Sequence, residues 1–382
     1  MENKLNIEFE KVFEKEVEHH FFCPGRVNLI GEHIDYNGGK VLPCAISLGS
    51  HLLVARNNTG TLRFRSLNFE EKADIILADS YTKSGKDWYN YPLGVIHLLS
   101  KNHKFEGLDL LFYGNLPTGA GLSSSASIEV LTAYAFDRIF KLGINKLDLV
   151  KIAKQAENEF IGVNCGIMDQ FAVAFGEKDK ALELNCDTIE YNAVPFNLGE
   201  YSLAIINTNK PRKLAESKYN ERFTECRTAL ADLQKQLEIQ HLCDLNSLQL
   251  DAHLDLIKSF TIAKRAQHVV AENERVYKSI EAMSKSDLES FGKLMYASHD
   301  SLRNLYEVTG QELDTVVEYC KKNTDVLGAR MTGAGFGGCA IALVKSNKFD
   351  KFTSELEAYY NDKIGYKPSV FKSAIGEGVR AL

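Results

Sequence analysis

Residues 108–131 read LDLLFYGNLPTGAGLSSSASIEVL, a strand pattern that passes through a glycine- and serine-rich turn into a helix pattern. The apolar run Leu108–Tyr113 predicts the strand, and helical spacing from Ser124 to about Leu142 predicts the helix. A helix start offers unpaired backbone N–H groups, and glycine lets an anion approach closely. No Gly-Lys-Ser/Thr follows, so the turn is not a P-loop. The segment predicts a different phosphate-binding loop, although a plain N-capped helix would need only one of its serines.

Twelve of the 27 glycines fall in three short windows, of which the segment above contains the second. The third window, residues 328–338, carries the spacing G-x-G-x-x-G at Gly333, Gly335 and Gly338. A dinucleotide site needs a helix after this motif, whereas the apolar strand Cys339–Val344 follows here. The window therefore predicts a tight loop that packs against a triphosphate or the second window. A purely structural turn is the alternative.

The first window, residues 24–44, crowds polar side chains between glycines. Glu32 and Asp35 can accept paired hydrogen bonds from vicinal sugar hydroxyls, and His33 can donate or accept one. Arg26 can neutralise a phosphoryl group. Isolated acidic residues usually lie in solvent, but this density favours a polyol site.

Two further carboxylates stand out in the sequence. Glu157 borders the apolar face of a helix predicted over Asp148–Phe160, where a carboxylate is costly unless it is paired or binds a metal. An ion pair with Lys154 explains Glu157 equally well. Asp169 lies in an apolar, glycine-bearing turn, where it could cap a helix or else position or deprotonate a hydroxyl.

Composition and charge exclude several classes of protein. The net charge of −6, without a long basic block, gives no reason to expect nucleic acid or an anionic membrane as a partner. The longest apolar runs are far below the ~20 residues that span a bilayer, and no apolar leader opens the chain. Eight dispersed cysteines without a C-x-x-C pair argue against zinc and disulfides. We expect a cytoplasmic monomer.

Periodicity along the chain predicts an α+β protein. Residues 5–17 have helical spacing, residues 40–76 read as short strands, and helices dominate after residue 200. We expect two closely packed lobes, 1–190 with the sugar motif and phosphate loop and 191–382 with the third glycine motif, and ligand chemistry between them.

The three windows resemble the three conserved motifs of the GHMP small-molecule kinases. Residues 25–39 are similar to the pattern of the family members that phosphorylate galactose. Residues 165–171, 298–302 and 331–339 match the same family, so the resemblance covers essentially the whole chain. It implies the GHMP kinase fold, which is α+β and two-lobed, with the active site in the cleft between the N- and C-terminal domains.

The resemblance also implies a role for each matching position. Arg26 and Asp169 would form the catalytic pair, while Ser125 and Glu157 would hold Mg²⁺. Ile34 stands where the family commonly has threonine, and its side chain can point away from the sugar. The sugar-binding set would be Glu32, His33, Ile34, Asp35, Gly166 and Tyr219. The nucleotide-binding set would be Ser66, Gly119, Ala120, Gly121, Leu122, Ser123, Ser124 and Ser125.

The implied activity is phosphorylation of the C1 hydroxyl of D-galactose by MgATP to galactose 1-phosphate, the first committed step of galactose catabolism (Leloir pathway). Asp169 would orient the hydroxyl or accept its proton, and Arg26 would stabilise the γ-phosphoryl charge. Tyr219 also begins a hydrophobic stripe at helical spacing, so a core role is its alternative.

Three other functions compete with this interpretation. The first is a kinase for N-acetylgalactosamine or arabinose, against which the intact Glu32-His33-x-Asp35 argues. The second is a non-catalytic sensor of galactose and ATP, which would lack residues of the serine loop that are intact here. The third is a nicotinamide dehydrogenase, which the strand after Gly338 disfavours.

Overall fold

The computed structural model describes residues 2–116, 121–163, 165–210 and 215–382. Its helices are α1 Glu2–Phe13, α2 Asn90–Ser100, α3 Ser124–Phe140, α4 Lys146–Gln155, α5 Met168–Phe175, α6 Ala215–Leu233, α7 Ser247–Asp251, α8 Phe260–Ser284, α9 Leu288–Ser301, α10 Gly310–Lys322 and α11 Phe349–Ile364. Its strands are β1 His19–Asn28, β2 Lys40–Val41, β3 Pro43–Asn57, β4 Thr61–Ser66, β5 Ala73–Ile76, β6 Gly107–Gly114, β7 Lys180–Asn185, β8 Tyr191–Pro195, β9 Tyr201–Asn207, β10 Val326–Thr332, β11 Cys339–Lys345, β12 Ser369–Ser373 and β13 Arg380–Ala381.

The first sheet has six strands in the order β13-β1-β3-β6-β4-β5. Most residues of its long central strand β3 are buried, because other elements cover both faces of the sheet there. Leu53 and Ala55 pack beneath α1, whereas Leu52 and Val54 belong to the main core. The alternation of side chains along a strand sends these neighbours to opposite faces. The predicted opening helix and the strands predicted within residues 40–76 and at 108–113 are all present.

The second sheet has the order β10-β11-β9-β12 and is antiparallel throughout. Residues of β9 and β11 are buried along almost their whole length, with α9, α10 and α11 packed against this sheet. A third sheet, β2-β7-β8, joins a short strand that follows β1 in the chain to a later hairpin. Strands and helices are thus mixed, as expected for an α+β protein, in the described ranges.

Strand β10 was not predicted, and it changes how the third glycine window is understood. β10 pairs antiparallel with β11, so residues 333–338 form the loop of a hairpin. Gly335 has φ +81°, and a Cβ atom there would lie 2.3 Å from the carbonyl oxygen of Val308. Only glycine fits that position. The loop is therefore a structural turn as well as a part of the site described below.

The helix predicted over Asp148–Phe160 is divided. α4 ends at Gln155, and residues Ala156–Ile161 continue as a π-helical turn that ends at Gly162. Such a widened turn is frequent at functional sites because it displaces one residue from the α-helical register. Glu157 lies in this turn and is buried, as its place beside the apolar stripe predicts.

Two strands from the second half of the chain pair with strands of the first half. β8 pairs with β7, and β13 pairs with β1 through Phe21 and Ala381. Residues 376–382 add backbone hydrogen bonds to Ala45, Gly176, Val173 and His20. The division of the lobes near residue 190 stays a prediction. None of the helices in the described ranges combines the length and apolar character that a bilayer crossing requires.

Candidate active site

Two cavities flank the start of α3. The first, the aromatic cavity, has a volume of about 230 Å³. Its lining comprises Ser50, Ser66, Asn68, Phe69, Trp88, Tyr91, Phe112, Tyr113, Gly114, Leu116, Ser124, Ser125 and Ile128. The second, the acidic cavity, has a volume of about 200 Å³. Its lining comprises Arg26, Glu32, His33, Asp35, Cys165, Gly166, Met168, Asp169, Tyr219, Gly333 and Ala334.

Arg26 and Asp169 form a bidentate ion pair at the edge of the acidic cavity. Arg26 Nε donates to Asp169 Oδ1 at 2.8 Å, and Arg26 Nη2 donates to Oδ2 at 2.7 Å. A third guanidinium nitrogen, Nη1, donates to the carbonyl oxygen of Gly121 at 2.9 Å. This fork geometry is the strong form of a charge-assisted pair. Because Asp169 is in the first turn of α5 and Arg26 is on β1, the pair also joins these two elements.

The backbone near the Arg26–Asp169 pair is irregular in two places, the β1–β3 pairing and the residue before α3. The pairing of β1 with β3 shifts register before Arg26: Pro24 pairs with Gly49 and Arg26 with Ala45, so two more residues separate the partners on β3 than on β1. Ser123 precedes α3 with φ +59° and makes no capping hydrogen bond. Its hydroxyl donates instead to Asp169 Oδ2, so a plain N-cap does not account for the serine loop.

Glu32 is buried at the wall of the acidic cavity, where groups from the second half of the chain hold it. Its Oε1 accepts hydrogen bonds from Gly333 N at 2.8 Å and from Arg330 at 3.4 Å. Burial raises the pKa of Glu32, and the charge of Arg330 and the hydrogen bond from Gly333 oppose that rise. The hairpin loop thus packs against the first window. It also approaches the second, since a Cβ at Gly333 would lie 3.9 Å from the carbonyl oxygen of Gly121.

His33 lines the cavity, but protein groups already occupy both nitrogens of its ring. Nδ1 lies 2.9 Å from Tyr36 Oη, and Nε2 lies 3.2 Å from the carbonyl oxygen of Ala334. A carbonyl only accepts, so Nε2 carries the proton and Nδ1 accepts from Tyr36. Burial, with a contribution from His268, lowers the pKa of His33 to about 3, so the ring is neutral. The His33 ring presents mainly its carbon edge to a ligand.

Asp35 is half-buried and faces the same cavity. Burial raises its pKa to about 7, and the carboxylates of Glu32 and Asp169 add to the rise. Gly166 is close to it, since a Cβ there would lie 3.5 Å from Asp35 Oδ2. Tyr219 borders the cavity from α6. An acceptor that titrates near neutrality therefore lines the same cavity as the catalytic pair predicted from the sequence.

Ser125 and Glu157 come together on the side of the aromatic cavity. Burial raises the pKa of Glu157, and a hydrogen bond with the Ser125 hydroxyl opposes the rise. Glu157 Oε2 also accepts a hydrogen bond from Gln170 Nε2 at 2.6 Å. Within the described residues Glu157 makes no ion pair with Lys154, which removes the alternative explanation of its position.

The oxygen donors of this pair suit Mg²⁺, which takes one or two carboxylates together with substrate phosphates and water. No group of three or more His, Cys, Asp or Glu side chains in the described ranges could hold a metal without such help. The donor set thus fits a metal that arrives with a nucleotide.

The other predicted site residues divide into three groups. Ser66 and Ser124 line the aromatic cavity. Ile34 and Leu122 have buried side chains in the core and line neither cavity, although the carbonyl oxygen of Leu122 accepts from Arg26 N at 3.3 Å. Gly119 and Ala120 lie outside the described residues.

Sequence reasoning missed the aromatic wall. Trp88 lies with its ring centroid 5.3 Å from that of Phe112, stacks on Phe69 at 6.3 Å, and donates from Nε1 to the carbonyl oxygen of Glu71 at 2.9 Å. The side chain of Asn68 fixes Gly114 by pairing with both its N–H and its carbonyl. The only available signal was that this tryptophan is the single one in the chain.

Three family models match the chain. They are the galactokinase galactose-binding signature over residues 7–56, the N-terminal domain of GHMP kinases over residues 90–177, and the C-terminal domain of GHMP kinases over residues 279–362. Together they contain Arg26, Asp169 and the glycine hairpin, whereas Trp88 lies outside the matched ranges.

Several galactokinases match this chain over almost its whole length and theirs. The galactokinases of Clostridium acetobutylicum and Streptococcus thermophilus are each 48% identical over 384 aligned residues, which cover 100% of this chain and 99% of each relative. The crystal structure of Lactococcus lactis galactokinase complexed with galactose matches with a TM-score of 0.92 at 44% identity, covering 100% of this chain and 99% of that one. Methanococcus jannaschii mevalonate kinase, with a TM-score of 0.72 at 20% identity over 94% and 99% of the two chains, shares the fold.

Proposed function

The chain belongs to the GHMP kinase family, and from that premise we propose that it transfers the γ-phosphoryl group of ATP to the C1 hydroxyl of D-galactose. The products are galactose 1-phosphate and ADP, which makes the reaction the first committed step of galactose catabolism (Leloir pathway). One observation carries the proposal beyond family membership. The Arg26–Asp169 pair lies at the acidic cavity and is hydrogen-bonded to Ser123, directly before the helix that borders the aromatic cavity.

The acidic cavity takes the sugar. Glu32 and Asp35 accept hydrogen bonds from hydroxyl groups, since ionised carboxylates are pure acceptors and vicinal hydroxyls are paired donors. Tyr219 and the backbone at Gly166 close the cavity on the other side. His33 contacts the sugar through its ring edge, and Ile34 acts through its main chain because its side chain belongs to the core.

Asp169 and Arg26 act on the reacting atoms. Asp169 orients the C1 hydroxyl and accepts its proton, while Arg26 fixes the carboxylate and stabilises the charge on the transferred phosphoryl group. Phosphoryl transfer has a loose transition state, so alignment and charge neutralisation supply most of the rate enhancement. The bidentate geometry supports this role because it holds Asp169 in one orientation.

The aromatic cavity takes the adenine base, and the serine loop takes the phosphates. Flat aromatic walls around Trp88 suit a planar base, and the N-terminus of α3 suits an anion. Ser66 lies at the base side, whereas residues 119–125 wrap the phosphates. Ser125 and Glu157 hold Mg²⁺, which supplies charge neutralisation to the phosphate oxygens when it is bound.

The remaining parts of the proposal concern the whole chain. The eight cysteines are dispersed and include no C-x-x-C pair, which supports a reducing compartment such as the cytoplasm. The acidic net charge of −6 supports a small-molecule enzyme without a nucleic-acid or membrane partner. We expect a monomer with its lobes divided near residue 190, which light scattering and limited proteolysis can test.

A coupled ADP-release assay tests the activity. The purified chain is supplied with ATP and Mg²⁺ and then with D-galactose, N-acetylgalactosamine, arabinose or no sugar. We expect galactose to stimulate ADP release far above the other three conditions. Galactose binding without ADP release would favour the sensor, and stimulation by another sugar alone would favour the related kinases. Absence of any galactose response contradicts the proposal.

A further inference from the structure

Two buried side chains of α8, His268 and Glu272, hold the main chain of the first glycine window from behind. Gly31 N donates to Glu272 Oε1 at 3.0 Å, and Glu32 N lies 3.4 Å from the same oxygen. His268 Nε2 lies 3.2 Å from the carbonyl oxygen of Glu32, so it donates there. Neither α8 side chain lines the aromatic or the acidic cavity. Both main-chain N–H groups and the carbonyl at this point are thus bound to α8.

Two serines of α9 fix these side chains in turn. Ser298 Oγ donates to Glu272 Oε1 at 2.6 Å. Ser301 Oγ lies 2.8 Å from His268 Nδ1, which is the acceptor because Nε2 carries the proton. The serines are three residues apart, so they lie on one face of α9. They belong to the segment 298–302, which matches the family in sequence without an implied role.

Arg330 of β10 closes the arrangement into a ring. Its Nε donates to Ser298 Oγ at 3.1 Å, and its Nη1 donates to Glu32 Oε1 at 3.4 Å. Arg330, Ser298 and Glu272 are all fully buried. The buried ring comprises Glu32, Arg330, Ser298 and Glu272. Glu272 closes it, because its carboxylate lies 3.4 Å from the main-chain nitrogen of Glu32.

Two cations balance the two carboxylates of the ring: Arg330 within it, and Arg275 beside it, which pairs with Glu272 at 2.7 Å. Burial acts to raise the pKa of Glu272, but the charges of Arg275 and Arg330 outweigh it and leave the pKa at about 2. Removing one member of such a network leaves its partners buried and short of a hydrogen bond, which is costly. The ring can therefore hold Glu32 in one place while remaining outside the cavity.

The loop needs this support because its backbone is unusual. Gly31 has φ +97°, and His33 has φ +63°, a conformation that non-glycine residues rarely adopt. Strained residues persist where their surroundings over-determine them. Here the surroundings are α8, α9 and β10.

We propose that Ser298 and Glu272 are positioning residues that hold Glu32 in the geometry that binds sugar hydroxyls, and so set galactose affinity without touching the sugar. The inference rests on the proposed function, because it assigns the acidic cavity to galactose. Glu32 Oε1 is the oxygen bound to the ring and the hairpin, and neither of these hydrogen bonds uses Oε2. The ring and the hairpin thus both hold Glu32 through the same oxygen, Oε1.

The test uses Ser298→Ala, with Ser301→Ala as a second variant that disturbs only the His268 branch. Calorimetry measures the Kd of D-galactose and the Kd of ADP for each chain. The matched control is Ser202→Ala, which removes a buried hydroxyl bound to Ser346 at 2.7 Å in the second sheet. Thermal unfolding records the general loss of stability in all three variants.

We expect Ser298→Ala to weaken galactose binding by about tenfold, equivalent to about 1.4 kcal/mol. Ser301→Ala weakens it by about threefold, and in both variants the Kd of ADP changes by less than twofold. Ser202→Ala lowers the Tm comparably but leaves the galactose Kd unchanged. A galactose Kd within twofold of wild type in Ser298→Ala overturns the inference, as does an equal loss of ADP and galactose affinity. Failure of the wild-type chain to bind galactose would instead overturn the proposed function.

Discussion

The two cavities differ in where their walls come from. All the residues that line the aromatic cavity lie between Ser50 and Ile128, in one continuous part of the chain. The acidic cavity takes its walls from four separated segments, which begin at Arg26, Cys165, Tyr219 and Gly333. One cavity is thus a local product of the first sheet and its helices. The other exists only where the two halves of the chain meet.

This difference predicts how each site responds to change. Binding in the aromatic cavity depends on nearby side chains, so distant substitutions should leave it intact. Binding in the acidic cavity depends on the relative placement of α8, α9 and the glycine hairpin, so buried substitutions far from the ligand should reach it. The predictions below test this contrast by measuring how each substitution affects the two ligands.

Asp169→Asn should have the largest effect. It keeps the shape but removes the proton acceptor and the charge opposite Arg26, so we expect kcat to fall on the order of 10²–10⁴-fold. Galactose and ADP should still bind within a few-fold of wild type by calorimetry. Asp109→Asn is the matched control, because Asp109 forms the same bidentate pair with Arg63 outside both cavities. Near-native turnover in Asp169→Asn, or an equal loss in Asp109→Asn, would contradict the assigned role.

The next largest effect should be a difference in pH dependence between the KM for galactose and the KM for ATP. Burial and the neighbouring Glu32 raise the pKa of Asp35 to about 7, with Asp169 adding to the rise; Tyr219 and Cys186 are the other titratable groups nearby. A hydroxyl donates best to the ionised carboxylate, which is lost as pH falls through 7. We therefore expect the KM for galactose to rise up to about tenfold per pH unit below 7, while the KM for ATP changes little.

Asp35→Asn supplies the check on that assignment. The amide does not titrate, so the variant should show a weaker but nearly pH-independent KM for galactose between pH 5.5 and 8. If the pH dependence survives in the variant, another group is responsible for it.

Trp88→Leu should affect the other cavity alone. The substitution removes an aromatic face that stacks on Phe69, and a stack of this kind contributes about 1 kcal/mol. We expect the Kd of ADP to rise about fivefold and the Kd of galactose to stay unchanged. Phe105→Leu is the control, since Phe105 packs on Phe136 away from both cavities. Equal losses for the two ligands would show that the sites are less separate than their walls suggest.

Tyr36→Phe should have the smallest effect. It removes only the hydroxyl that donates to His33 Nδ1 and lies 2.8 Å from Tyr306 Oη. The His33 ring keeps its bond to Ala334, so we expect galactose binding to weaken by about twofold to threefold with kcat preserved. A loss above tenfold would mean that the His33 ring contacts the sugar through a nitrogen after all.

The same contrast explains how much the sequence could reveal. The strand and helix around the serine loop were predicted nearly to their ends as β6 and α3, because periodicity and glycine signals act over short distances. The meeting of Arg26 with Asp169 followed only from the family resemblance. Nothing in the local pattern of either segment indicates a partner so distant in the chain.

Sequence reasoning missed the aromatic side chains around Trp88, strand β10 and the buried ring. Strand β10 was not anticipated, since the interpretation of the glycine motif depended on the strand after it. Glu272 and Arg330 looked like ordinary charged residues, and their burial depends on helices and strands that meet only in the folded chain. Ser298 belongs to a motif to which the sequence assigned no function. Its hydrogen bonds with Glu272 and Arg330 in the folded chain indicate one.

The pairing of β13 with β1 has a consequence for the synthesis of the protein. β1 carries Arg26, but its outer edge is covered by residues that leave the ribosome after every other strand described above. Until then the edge has unpaired N–H and C=O groups next to an apolar strand, the kind of surface on which nascent chains associate. This edge of β1 is therefore completed only after the other described strands have been synthesised.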